Sequence, residues 1–339
     1  MAKYIRLRTG AVGRALLTLA LLALSGLVLS SSPVFAGQPT RVTLARLAPS
    51  SLLWLHAIAT DQGMYTKRGL EVVDVQVQSS AALVQAVASG SADAGIALGD
   101  NVMQAIDQGA PVVITGAILH KPVLRLIGNV DSIPELRGKR VTAGAVEGGT
   151  TDLMYYMFQK AGLDWRQTQI VALTNSSDRV VALQRGELHG ALLIPPFDTI
   201  ALRSGSRLLD VYNDYWVQTP LIVNTNWAAR NRDAAKKLTQ ALAEAAAWIY
   251  NPNNRQKAIE ILAAYTNVSY DIAEEGYRFM VEEIQAISPD LTVPAEGLES
   301  IVRIREAVHL ESLLRNRQAT QSGQGFNLYK YYDPSYLQD

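Results

Sequence analysis

Four short loops hold most of the residues that could bind a small molecule in this 339-residue sequence. Each loop follows a β-like run, precedes a helix-like run and carries hydroxyl, amide or carboxylate side chains. A helix that starts in such a loop offers free backbone N–H groups and a field that favours anions. Ser, Thr, Asp and Asn also cap helices, so capping alone explains any one of them. The candidates in these loops are Ser50, Ser51, Ser79, Ser80, Asp100, Asn101, Gly149, Thr150 and Thr151.

Four other residues are candidates because of their chemistry and position. Asn175 and Phe197 follow later β-like runs, in positions that correspond to those of the first loops. Trp54, at the first helix start, and Phe197 could hold a ligand between their rings or simply pack in the core. Arg46, at the end of the first strand, could neutralise an anion. Asp100 could hold the amino group of a zwitterion or complement the dipole of its own helix.

Motifs for covalent, metal or cofactor chemistry are missing from the sequence. It contains no Cys and four His, and it has no HExxH pair, GxSxG elbow, GxGxxG turn or Walker phosphate loop. Acidic and basic residues balance at 31 each, and no basic stretch suggests a nucleic-acid partner. We therefore expect no catalytic residue, no metal and no cofactor.

The runs that position these loops alternate between β-like and helix-like from residue 41 to about residue 220. Residues 71–77 alternate apolar and polar, and residues 81–89 carry apolar side chains at helical spacing before the helix stop Gly90. A second series of the same kind starts after Pro134, and a helix-rich segment follows Asn226. This order predicts an α/β fold with two similar lobes and largely parallel sheets. We expect lobe one over residues 37–118 and 225–339, with the helical tail packed on it, and lobe two over residues 119–224.

The first 36 residues have the order of a secretory signal peptide. Basic residues precede an apolar run over residues 15–30, and small residues at Val34 and Ala36 suit a signal peptidase. An uncleaved anchor is the alternative, but a run of this length is shorter than the ~20 residues that span a bilayer. We expect cleavage after Ala36 and a periplasmic protein. Without Cys, lipid attachment at an N-terminal Cys is excluded.

Five short motifs occur along the chain, at residues 59–72, 88–95, 136–141, 182–197 and 331–337. In sequence and in order they resemble those of the nitrate/sulfonate/taurine-type (NMT1/THI5-like) periplasmic solute-binding proteins of ABC transporters, which are related to pyrimidine-precursor proteins of thiamine biosynthesis. One departure is His189, where the family usually has Asp.

The resemblance implies a two-lobed periplasmic-binding-protein fold of type II with two crossovers. It implies a monomeric component of an ABC importer that binds a small organic anion or zwitterion, such as a sulfonate, taurine, a carboxylate or nitrate. The partners would be that ligand and a membrane permease. The family uses the loops above, so the resemblance favours binding over capping and implies closure of the lobes on the ligand. Gly149, in a surface loop, would let the ligand approach backbone N–H groups.

Two other functions share this type of lobe. One is a protein of thiamine metabolism that binds a pyrimidine precursor or forms the pyrimidine, although the Cys-rich motif associated with the pyrimidine-forming enzymes is missing from this sequence. The effector domain of a transcription regulator is the other, but the chain has an export signal and no DNA-binding helix pair. We expect reversible binding without catalysis.

Overall fold

A computed structural model describes residues 38–316 and 326–338 of the chain, without the side chains of residues 310–316. The predicted signal peptide, residues 1–36, lies outside the described residues. The ten strands are β1 (Thr40–Arg46), β2 (Leu70–Gln76), β3 (Ala94–Ile96), β4 (Val112–Leu119), β5 (Arg125–Gly128), β6 (Arg140–Gly144), β7 (Gln169–Ala172), β8 (Gly190–Leu193), β9 (Arg207–Val211) and β10 (Thr219–Asn224).

The strands form two five-stranded sheets with the same internal order. The first sheet runs β2-β1-β3-β10-β4 and the second runs β7-β6-β8-β5-β9. In each sheet the first three strands in this order are parallel to one another. The fourth strand, β10 or β5, is antiparallel to both of its neighbours and connects these three to the edge strand, β4 or β9. The two similar α/β lobes predicted from the sequence are thus confirmed.

Helices cover the sheets on the faces that the strands leave apolar. Within the longest Ala-rich helix, Leu238, Leu242 and Ile249 recur at helical spacing, and all three are fully buried. None of the described helices is long and apolar enough to cross a membrane. The α-helices are α1 (Trp54–Asp61), α2 (Ser80–Ala88), α3 (Gly99–Asp107), α4 (Gly149–Lys160), α5 (Ser176–Gln184), α6 (Phe197–Arg203), α7 (Thr225–Arg230), α8 (Arg232–Ile249), α9 (Arg255–Thr266), α10 (Tyr270–Tyr277) and α11 (Ala295–Asn316); a π-helical turn (Arg278–Glu283) follows α10.

Two chain segments connect the lobes, residues 120–124 and 212–218. They are hydrogen-bonded to each other, because the Trp216 N–H donates to the His120 carbonyl at 3.0 Å. The buried Gln218 side chain also accepts the Val123 N–H at 2.7 Å. The second segment leads directly into β10, which lies inside the first sheet. The predicted end of lobe two at residue 224 is therefore too late by this whole strand.

The helical tail packs on the first lobe, as the sequence analysis expected, and it also contacts the second lobe. His309 of α11 contacts Asp152 of α4 in the second lobe, with 2.7 Å between Nε2 and Oδ1. In the same way, Arg203 of α6 pairs with Asp271 and Glu275 of α10. The tail therefore touches both lobes beside the cleft.

Gly99, at the start of α3, marks the tightest contact between that helix and the second connecting segment. A Cβ at this position would lie 2.2 Å from the Val217 carbonyl oxygen. We expect Gly99→Ala to lower the unfolding free energy by about 1–3 kcal/mol, because backbone atoms must move apart. Urea unfolding measures this, with the exposed Gln85→Ala of α2 as the control. A Gly99→Ala variant as stable as its parent would contradict this packing.

Candidate functional site

A cavity of about 410 Å³ lies between the carboxyl ends of the parallel strands of the two sheets. Both lobes line it, and five helices, α2, α3, α4, α5 and α6, begin at its wall. A second hollow, of about 430 Å³, lies within the second lobe beside Asn129 and Arg207. It holds none of the predicted site residues. The inter-lobe cavity is the candidate site because strand ends and helix starts meet there.

Nine of the twelve predicted ligand-binding residues line this cavity. Their contact with a ligand stays a prediction, but the structure does bring them together from separate loops. Some already have partners: Ser79 Oγ accepts the Ala82 N–H at 3.2 Å, and Ser80 Oγ accepts the Leu98 N–H at 2.9 Å. The nine residues are Ser50, Ser79, Ser80, Asp100, Asn101, Gly149, Thr150, Asn175 and Phe197.

Four predicted residues do not line the cavity. Trp54 is buried, and its indole N–H donates to the Ala258 carbonyl at 3.0 Å. The Thr151 hydroxyl donates to the Ala145 carbonyl. Ser51 is buried at the start of a short 3-10 helix that precedes α1. Arg46, the predicted anion partner, pairs with Asp74 at 2.5 Å. Trp54, Thr151 and Arg46 are thus held by partners within the chain.

Arg179 of α5 is the functional candidate that the sequence analysis missed. It lines the cavity, yet its side chain is buried, with 7% of the residue exposed. Its guanidinium donates to the carbonyls of Leu173, Thr174 and Leu192, each at 2.7 Å. Burial lowers the pKa of Arg179 to about 10, so it remains charged at neutral pH.

Gly144, the last residue of β6, makes room for this guanidinium. A Cβ on Gly144 would lie 2.5 Å from Arg179 Nη2, and the residue has a φ of +118° that favours glycine. Arg179 thus ties together the carboxyl ends of β6, β7 and β8. A sequence signal existed, because Arg179 and Leu183 share the buried face of α5. An arginine on an apolar helical face indicates a buried partner or a ligand.

Asp100 contributes the opposite charge from the first lobe. It is 1% exposed, and its Oδ2 accepts the N–H of Gly149 across the cleft. Its Oδ1 makes no hydrogen bond with any residue that the structure describes. Burial raises the pKa of Asp100, although the Gly149 N–H and the charge of Arg305 oppose this.

Gly149 was expected in a surface loop where a ligand could approach N–H groups, and the surface position is wrong. Gly149 is buried, and its N–H already donates to Asp100. The closeness of two residues 49 positions apart depends on the packing of two lobes. Local sequence patterns carry no information about such a contact.

Three comparisons place the chain among known proteins. Residues 56–255 match the family described as NMT1/THI5 like, and no curated protein matches the sequence. Among solved structures, the alkanesulfonate-binding protein SsuA of Xanthomonas axonopodis pv. citri, bound to MOPS, is similar with a TM-score of 0.67 and 16% identity, over 82% of this chain and 96% of that one.

Two further solved structures share the fold. The periplasmic aliphatic sulphonate-binding protein SsuA of Escherichia coli has a TM-score of 0.62 and 18% identity, over 86% of this chain and 99% of that one. The periplasmic nitrate-binding protein NrtA of Synechocystis has a TM-score of 0.62 and 14% identity, over 88% and 97%. At these identities the likeness establishes the fold, and the predicted periplasmic-binding-protein architecture is confirmed.

Asp198, next to the cavity residue Phe197, gives the cleft wall a measurable pH dependence. Asp198 is 1% exposed and accepts a hydrogen bond from Arg125 at 3.2 Å. Burial nevertheless raises the pKa of Asp198 to about 6. The folded protein therefore holds this proton more tightly than the unfolded chain. Ionisation then costs stability as the pH rises from about 4 to about 6.

We expect Asp198→Asn to remove this loss. Between pH 4 and pH 7 the unfolding free energy of the variant, relative to the parent, should rise by about 3 kcal/mol. Urea unfolding at several pH values measures the difference, with the exposed Asp214→Asn as the control. If the unfolding free energies of Asp198→Asn and the parent changed in parallel with pH, ionisation of Asp198 would not destabilise the folded protein.

Proposed function

The chain belongs to the NMT1/THI5-like family, and we propose that it is the periplasmic solute-binding component of an ABC importer for a small organic anion or zwitterion. It would bind the ligand between its lobes and deliver it to a membrane permease. The candidate ligands are sulfonates, including taurine, carboxylates and nitrate. The fold relatives named for binding sulfonates and nitrate make these the first compounds to test.

The observation that carries the proposal is the buried positive charge of Arg179. Its three hydrogen-bond partners are neutral carbonyls. A buried charge is costly unless an opposite charge or strong hydrogen bonds compensate it. Arg179 is the one cation among the described residues that line the cavity, and two of its five N–H groups remain beyond those three bonds. The exposed carboxylate of Asp178, on the same helix, acts on this charge from the solvent side, and an anionic ligand would add a counter-charge from the cavity.

Helix starts support the same ligand chemistry. α5 begins at Ser176, within a turn of Arg179, and α2 begins at Ser80 on the opposite wall. Their first N–H groups favour negative charge at the cavity. Asn101, Asn175 and Ser50 add polar side chains that can orient the rest of the ligand.

Closure follows from the division of these groups between the lobes. Ser50, Ser80 and Asn101 belong to the first lobe, whereas Asn175 and Arg179 belong to the second. A ligand that touches both sets binds the closed form better, and only such a difference can shift the lobes. The two connecting segments, joined through Gln218 and Val123, provide the hinge. The permease would recognise the closed form.

Binding without catalysis is the other half of the proposal. The charged residues lining the cavity, among those that the structure describes, are Asp100, Glu147 and Arg179. This set binds and orients charge but includes no nucleophile beside a base. The protein should return its ligand chemically unchanged. A product formed faster than with heat-killed protein would contradict this and favour the enzyme alternative.

The binding proposal predicts a loss of affinity for Arg179→Gln. The chain from residue 37 is tested by calorimetry against ethanesulfonate, taurine, nitrate, acetate and an uncharged aminopyrimidine. Loss of a hydrogen bond to a charged group costs about 1.5–3 kcal/mol, so affinity for the bound anion should fall about 10- to 100-fold. Arg185→Gln, at the exposed end of the same helix, is the matched control.

Three results would count against the proposal. One is the absence of binding by every anion in the panel. Another is binding of the aminopyrimidine alone, which favours the pyrimidine-precursor alternative. The third is equal anion affinity in Arg179→Gln and Arg185→Gln, which would place the anion away from Arg179. Urea unfolding of each variant confirms that it is folded.

A further inference from the structure

The contact between Asp100 and Gly149 has the chemistry of a bound ligand, although both partners belong to the chain. Asp100 lies in the first turn of α3 in the first lobe, and Gly149 is the first residue of α4 in the second. A carboxylate on the first N–H of a helix is the contact that an anionic ligand makes there. We propose that Asp100 is a built-in anion that clasps the lobes together and restricts the ligand to a single anionic group.

The geometry around Gly149 shows how closely the two lobes meet. A Cβ on Gly149 would lie 2.4 Å from Asp100 Cβ and 2.5 Å from its Cγ. The backbone of Gly149 therefore packs directly against the Asp100 side chain, with no space for a ligand group between them. Glycine is required at this position by the carboxylate of the chain itself.

Helix α11 holds both sides of this contact. It packs on α3 and on α4, and His309 joins it to Asp152 in the first turn of α4. From α11, the positive charge of Arg305 acts on both Asp100 and Asp152. The clasp is thus a cluster of three helices, with Asp100 bridging the lobes at its centre.

The charges at the start of α4 exclude a second ligand anion. Asp100 occupies the first N–H of the helix itself, and three carboxylates, those of Asp100, Glu147 and Asp152, lie there beside the side chains of Arg305 and His309. The positive charge that lines the cavity is that of Arg179, in the first turn of α5. If the proposed function holds, a ligand places its one anionic group there, and its other end meets Asp100 and Asn101.

The clasp is tested first on the protein without any ligand. Small-angle X-ray scattering of the chain from residue 37 is compared for parent, Asp100→Ala and Asp107→Ala. Asp107 lies on the same helix and bonds to Lys330 and Tyr331 of the tail, so it is the matched control. We expect Asp100→Ala alone to shift to a larger radius of gyration. Equal radii for Asp100→Ala and parent would overturn the clasp.

A folding defect in Asp100→Ala is separated from opening by a second variant. Asp100→Asn keeps the shape of the side chain and removes its charge, and it should also shift to a larger radius, by less than Asp100→Ala. Circular dichroism and cooperative urea unfolding establish that each variant is folded. A folded Asp100→Asn with the parent's radius would show that the charge does not hold the lobes.

The proposed restriction to a single anionic group is tested with ethanesulfonate and ethane-1,2-disulfonate, which differ by one anionic group. The parent should prefer the monoanion, and in Asp100→Asn this preference should fall about tenfold or more, because like charges no longer oppose each other. If Asp100→Asn kept the parent's preference for the monoanion, the proposed role of Asp100 in specificity would be overturned. If neither probe binds the parent, the proposed function fails for sulfonates, whereas the scattering of the free protein still decides the clasp.

Discussion

The buried charge of Arg179 is the constraint on which the second lobe and the cleft depend. Its guanidinium binds three carbonyls at the carboxyl ends of two strands and lies against the glycine that ends a third. One side chain thus fixes the sheet edge that forms the cavity wall. The hydrogen-bond partners of this positive charge are neutral, so the group that stabilises the sheet edge would also provide the proposed affinity for anions.

Asp100 plays the complementary part in the first lobe. It is buried like Arg179, but its charge is directed at the other lobe, where it meets the start of α4. A cleft with one buried charge from each lobe discriminates between the two ends of a ligand. In the proposed function, it would attract an anionic group at Arg179 and repel one at Asp100. If the proposed function holds, the two residues together would favour a small anion or zwitterion over a neutral solute or a dianion.

Much of the fold was predictable because it follows from local patterns. Alternation of β-like and helix-like runs gave two lobes, and loop composition gave nine of the residues that line the cavity. Errors arose where packing between distant segments decides. Trp54 was a predicted ligand contact but lies in the core. Arg46 was a predicted anion partner but pairs with Asp74 on the neighbouring strand. The burial of Arg179 depends on three strand ends that meet, and the Asp100–Gly149 contact depends on two lobes that meet. A short stretch of sequence contains neither arrangement.

The central claim is that a single anion binds between the lobes at Arg179. A crystal structure of the chain from residue 37 with ethanesulfonate tests it most directly. The account predicts one sulfonate in the inter-lobe cavity, hydrogen-bonded to Arg179 and to the start of α5, with the Asp100–Gly149 contact intact. A sulfonate at the start of α4 in place of Asp100, or only in the hollow beside Asn129 and Arg207, would contradict it.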